Sequence, residues 1–144
     1  MALVIAAPAA ASDIGLIDAC VGPVGDPDDH AEWCKGVVAE PCIARNEQPD
    51  TNHLVQCINR EVYAWDDIMK REFDGLIGAL DEEQRVAMRF SQRHWIEYRD
   101  AECVFPHIFL RQDASRPWAA DCMLHHTADR ALELRGYRDY LTTE

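Results

Sequence analysis

The sequence predicts an all-α fold, an antiparallel three-helix up-down-up bundle with a small disulfide-braced N-terminal helical hairpin. Three observations carry this expectation. One apolar stripe runs at helical spacing from residue 54 to residue 80, helix-start signals recur near 81 and 115, and six cysteines stand in a chain of only 144 residues.

The stripe is Leu54, Ile58, Val62, Trp65, Met69, Phe73, Leu76 and Leu80. Its steps of three and four residues keep one face of a helix apolar. Pro49 followed by Asp50 and Thr51 marks the start. A second helix begins at Asp81, with Gln84 three residues on completing a capping box. Its expected inner stripe is Val86, Phe90, His94, Tyr98, Ala101 and Phe105, and Pro106 is expected to end or kink it. Residues 106–116 then form a loop, and Ser115 with Pro117 opens a third helix. That helix turns Ala120, Leu124, Thr127, Ala131, Leu134 and Leu141 inward. Three long segments joined by short turns give the antiparallel bundle.

Residues 49–144 hold this bundle, and residues 12–48 differ from it. The N-terminal part is acidic, contains three of the seven prolines and reads as two short helices, about 13–21 and 28–39. The turn between them spans Gly22–Pro27, and a further short turn covers Pro41–Arg45. Residues 1–11, MALVIAAPAAA, resemble the remnant of a secretory signal peptide.

The cysteines are Cys20, Cys34, Cys42, Cys57, Cys103 and Cys122. None forms a C-x-x-C pair, which removes the usual zinc and dithiol spacings and leaves a structural disulfide framework. Such a framework belongs to an oxidising compartment, so the expected location is the periplasm or outside the cell. Cys103 closes the second helix and Cys122 opens the third, so a hairpin brings them together. Cys20 and Cys34 flank the Gly/Pro turn in the same way, and Cys42 and Cys57 remain as the third pair. Counting from Cys103–Cys122 and from the turn at 80–81 puts Trp65, Trp95 and Arg130 in one layer. A cation–π contact, or an ion pair from Arg130 to Asp66, is expected there.

Formal charge is −12. Residues 1–50 carry nine carboxylates against Lys35 and Arg45, a net of −7. A field of that sign repels nucleic acid and attracts basic partners. No apolar run reaches the length of a membrane span. The cluster Asp26, Asp28, Asp29 and Glu32 lacks the glycine and distal glutamate of a calcium loop, so it reads as a solvated acidic segment available to a basic protein. His125, His126 and Asp129 do not converge on one helical face, and His125 with Asp129 suits a surface ion pair instead. No nucleophile elbow or phosphate-cradling glycine run is present, so no catalytic residue, metal or cofactor is assigned.

One segment is more specific. Residues 91–103, SQRHWIEYRDAEC, hold Gln92, Arg93, Trp95, Tyr98, Arg99, Asp100 and Cys103. This resembles the Q-R-x-W-x-x-[FY]-R-D-A-x-C signature of the LprI-like lysozyme-inhibitor family. Cys122, Thr127 and Arg130 match a second signature, and Cys42, Cys57, Glu61 and Trp65-Asp66 match a third. Where the family usually has Leu-Asn and then Tyr, this chain has Met69-Lys70 and Phe73. The resemblance covers about residues 40–141. It implies an exported, helical, disulfide-bonded protein that binds a lysozyme and is not an enzyme. The alternative reading is a non-catalytic envelope scaffold with another protein partner.

Overall fold

Asp50 starts the first long helix as expected, its carboxylate accepting the His53 backbone N–H at 2.8 Å. The computed structural model describes residues 12–23 and 31–143. Among them lie α1 (Asp13–Val21), a 3-10 turn (Ala31–Cys34), α2 (Ala39–Ala44), α3 (Thr51–Ala79), α4 (Glu82–Leu110) and α5 (Ser115–Thr142). The expected signal remnant 1–11, most of the turn 22–27, and Asp26, Asp28 and Asp29 lie outside the described residues.

The capping box at Asp81 is complete. The Asp81 carboxylate accepts the Gln84 backbone N–H at 2.9 Å, and the Gln84 side chain accepts the Asp81 N–H at 3.0 Å. It reverses the chain within two residues. Arg130 donates to Gln92 and His107 pairs with Ser115, so α5 runs antiparallel to α4. Arg116 reaches Asn52 and Arg138 reaches Glu72, so α5 runs parallel to α3. The topology is up-down-up. α5 packs most extensively on α3 and less on α4, and α3 and α4 touch little. Small buried residues explain the closeness of the first pair, among them Ala64, Ala120, Ala128 and Ala131. The core is built on Trp65, Leu76, Leu124 and Leu134, with Ile17 of α1 inserted. Each such side chain contributes about 1.5–3 kcal/mol on burial.

Three disulfides join Cys20–Cys34, Cys42–Cys57 and Cys103–Cys122. These are the pairs that the hairpin geometry predicts. The first ties α1 to the 3-10 turn, the second ties α2 to α3, and the third closes the α4–α5 hairpin.

Three expectations are corrected. Residues 28–39 are not one helix, and Pro41–Arg45 is mostly helix rather than turn. Gly36 has φ 105°, and the backbone N–H groups of Gly36, Val38 and Ala39 turn to the Glu61 carboxylate at 2.7–3.0 Å. That backbone cannot continue a helix, and α2 starts afresh beneath the carboxylate. Pro41 is tolerated in its first turn, where backbone N–H groups have no intrahelical partner. Second, α4 continues through Pro106 to Leu110, so the loop shrinks from 106–116 to residues 111–114. Cys103–Cys122 and the His107–Ser115 contact at 3.2 Å hold this last stretch of helix against α5.

The third correction concerns the face of α4. Val86, Phe90, His94, Tyr98, Ala101 and Phe105 point to solvent. The inward residues are Met88, Gln92, Trp95, Arg99 and Cys103, roughly half a turn away around the helix. The cause is the disulfide. Cys103 must face α5, and positions 99, 95, 92 and 88 share its face at steps of three and four.

Candidate functional site

The buried face of α4 organises a polar layer. Trp95 lies between two guanidinium groups, Arg99 with its central carbon 5.1 Å from the ring centroid and Arg130 at 5.8 Å. Arg130 donates to the Gln92 carbonyl oxygen at 2.9 Å, to Glu133 at 2.6 Å and to the Ser91 hydroxyl at 3.2 Å. Arg99 donates to Asp100 at 3.0 Å and to the Thr127 hydroxyl at 3.3 Å, and lies 3.8 Å from Asp66. The expected Arg130–Asp66 ion pair is therefore replaced by Arg99–Asp66 and Arg130–Glu133. Lys70 forms an ion pair with Asp66 at 2.6 Å, which gives the departure from the usual Asn a definite contact. Met69 is buried, and its sulfur accepts from the Gln92 amide at 3.6 Å.

Glu61 is a second polar centre. Its side chain is fully buried and takes four hydrogen bonds, three from the backbone of residues 36–39 and one from the Trp65 indole N–H at 3.1 Å. The E-x-x-x-W spacing thus reads as an i, i+4 pair in which Trp65 orients a carboxylate that anchors the N-terminal segment. Glu72 is also buried. Arg71 donates to it at 3.1 Å, and the Arg138 guanidinium lies 2.9 Å from its other oxygen, off the hydrogen-bond direction.

The motif residues divide between two faces of the bundle. Trp65, Gln92, Trp95, Arg99, Thr127 and Arg130 are turned inward and hold the helices in register, with Asp66 half-buried beside them. Arg93, Tyr98 and Asp100 are exposed. Arg93 lies over the Phe90 ring at 5.7 Å, and Tyr98 meets His126 edge-on at 5.7 Å. The exposed aromatic face they share was not read from the sequence, although the position of Cys103 on the wheel could have revealed it.

Of the acidic candidates, Glu32 is described. It is exposed and pairs with Lys35 at 3.0 Å. Lys35 also pairs with Asp129 of α5, so Asp129 does not take the expected partner His125, which lies 3.5 Å from Asp121. Burial would lower the Lys35 pKa, but the hydrogen bonds to Asp129 and Glu32 outweigh it and raise the group above its usual value. His126 approaches the sulfurs of Cys103 and Cys122. Those sulfurs are bonded to each other and offer no thiolate to a metal. No helix among the described residues is long and apolar enough to cross a membrane.

Comparison with known families matches residues 42–134 to the lysozyme inhibitor LprI family. No curated protein and no solved structure matches the chain. The matched span opens at Cys42, includes Glu61, the Trp95 layer and Cys103–Cys122, and covers about two thirds of the sequence. The chain belongs to the LprI lysozyme-inhibitor family.

Proposed function

We propose that this chain is an exported protein-binding module that inhibits a basic, lysozyme-type muramidase. The family match carries this reading. Such enzymes cleave with two carboxylates in a cleft, so occluding the cleft is enough to stop them and the inhibitor needs no chemistry of its own. Three disulfides fit an extracytoplasmic location, periplasmic or secreted.

Charge supports the choice of a basic partner. Residues 12–48 act as the acidic partner-facing unit, and residues 49–144 as the three-helix scaffold behind it. Asp26, Asp28, Asp29 and Glu32 lie in the loop closed by Cys20–Cys34, so the covalent link limits how far these charges can disperse. At physiological salt, fields decay over about 8 Å, so charges near the contact dominate the encounter. Titrating the oxidised protein with a basic lysozyme at low salt tests the reading, with saturable binding expected. Neutralising Asp26, Asp28 and Asp29 together should slow association and flatten its salt dependence, whereas Glu102→Gln on α4 should change neither. Absence of binding at micromolar concentration would remove the inhibitor reading. The second reading, an envelope scaffold with another partner, draws on the exposed aromatic face of α4, which cleft occlusion does not require.

A further inference from the structure

α4 is inverted relative to an ordinary surface helix. Its buried residues are Gln92, Arg99 and Cys103, while Val86, Phe90, Tyr98, Phe105, Ile108 and Phe109 are all more than half exposed. Phe105 and Phe109 stack at 5.5 Å and share a shallow cleft with Trp118 of α5. The exposed apolar face spans α4 from Val86 to Phe109 and adjoins Trp118 of the next helix, with the exposed Arg93, Glu97 and Asp100 set within it. At roughly 150–250 Å² per aromatic side chain, its five half-exposed rings leave on the order of 600 Å² open to water. That is at or above the largest apolar patch of a typical monomer, and it approaches the roughly 800 Å² per partner of a standard interface.

The charges along α4 decide what covers it. The helix carries Glu82, Glu83, Glu97, Asp100 and Glu102 against Arg85, Arg89, Arg93 and Arg99, a net of −1. A strongly basic partner is drawn to the first fifty residues, at −7, and gains little here. Beyond the first-turn Glu82 and Glu83, the outward charges of α4 are instead segregated along the helix, arginines at 85–93 and carboxylates at 97–102, with Arg99 turned inward between them. Such a helix is complementary to itself when reversed. Arg93 is exposed and has no carboxylate partner among the described residues, and Asp100 uses Oδ1 for Arg99, leaving its other oxygen open.

We propose that the α4 face is a twofold interface with a second copy of this chain, the two α4 helices packed antiparallel. With the axis near Glu97, Arg93 of each copy meets Asp100 of the other, and Phe90 meets Val104. The His94–Glu97 pair of each copy, 3.1 Å apart, flanks the axis. The arrangement is isologous and closes at two copies. It leaves the acidic N-terminal unit free and does not depend on the identity of any other partner.

Sedimentation equilibrium of the oxidised full chain tests the proposal, with a concentration-dependent dimer expected. Arg93→Asp and Asp100→Arg should each weaken association by about tenfold or more, the range of close interfacial charge pairs. Mixing the two variants should restore wild-type association, because each copy then supplies the charge that the other lacks. Phe90→Ser, which removes an exposed ring and leaves the core intact, should also dissociate the dimer. A wild type that stays monomeric at high micromolar concentration overturns the interface. So does association indifferent to these substitutions, or no recovery on mixing. A monomer whose α4 amides gain hydrogen-exchange protection only when a basic lysozyme is added also overturns it, and assigns the face to that partner.

Discussion

Arg130 of α5 stacks on the Trp95 ring of α4 at 5.8 Å while its Nε donates to Gln92 on the same helix. The guanidinium is buried and makes directed contacts along one face of α4, so it sets the register of the hairpin as well as contributing attraction. Removing one partner from a buried charged network typically costs about 3–5 kcal/mol, because the remaining groups lose their solvation and their pairing together. Arg130→Ala should therefore destabilise the fold by about 3 kcal/mol in urea unfolding, far beyond the roughly 0.5 kcal/mol of an ordinary surface change. Arg130→Ala combined with Gln92→Ala should cost less than the sum of the two, since they share one network. Strict additivity would show that the layer is a set of independent contacts.

Glu61→Ala should be comparably damaging for a different reason. It strands three backbone N–H groups and the Trp65 indole N–H in a site with no access to water. Each buried, unsatisfied donor costs about 1–3 kcal/mol. With four donors stranded the expected loss is about 4 kcal/mol or more, and Glu61→Gln, which keeps one acceptor oxygen, should lose roughly half of that. Amide exchange localises the effect. Residues 36–44 should lose protection before α4 and α5 do, and uniform loss across the bundle would contradict an anchoring role.

Acid should loosen α1 first. Hydrogen bonds from Arg60 and Arg71 hold the Asp13 and Asp18 carboxyls below the ordinary 3.8. A lowered carboxyl pKa contributes stability above the unfolded value, and that stability is lost as pH falls through the lowered one. The window therefore opens near pH 3.8 and extends downward. Both pairs are partly exposed, at 2.7 Å and 2.8 Å, so solvent screening keeps the contribution of each small. Asp18→Asn should flatten the acid limb of the stability curve below about pH 4 relative to wild type. Superimposable acid limbs would show that the pair does nothing for docking.

Replacing Cys103 and Cys122 together by serine should remove about 3 kcal/mol in the chain-entropy model, for a loop of 19 residues. The last stretch of α4, beyond Pro106, should be the first to lose helicity, because the proline removes a backbone hydrogen bond there. Hydrogen exchange on residues 104–110 reads this directly. Unchanged protection would mean that the His107–Ser115 contact alone holds the hairpin end.

Much of the architecture was legible because backbone signals and spacing carried it. Asp50, Asp81 and Ser115 marked the helix starts, the 54–80 stripe named the buried face of α3, and hairpin counting paired the cysteines. What escaped was the side of α4. Apolar periodicity assumes that the most apolar face is buried, yet here the buried face is polar because Arg130 is satisfied by Gln92 and Glu133, and Arg99 by Thr127, Asp66 and Asp100. The split of residues 28–39 also escaped, since it depends on Glu61, a carboxylate more than twenty residues away in sequence. Local rules make Pro106 the end or a kink of the helix, and they do not include the disulfide and α5 contacts that carry the helix past it to Leu110. The exposed positions of the family motif, Arg93, Tyr98 and Asp100, became distinguishable from the structural ones only once that face was known.

Lysis of a peptidoglycan suspension by a basic lysozyme, followed with increasing amounts of the oxidised protein, decides whether this chain is an inhibitor. Inhibition gives a dose-dependent loss of lytic activity that saturates near equimolar inhibitor sites, weakens as salt is raised, and disappears when the disulfides are reduced. Undiminished lysis at a large molar excess of folded, oxidised protein at low salt would contradict it.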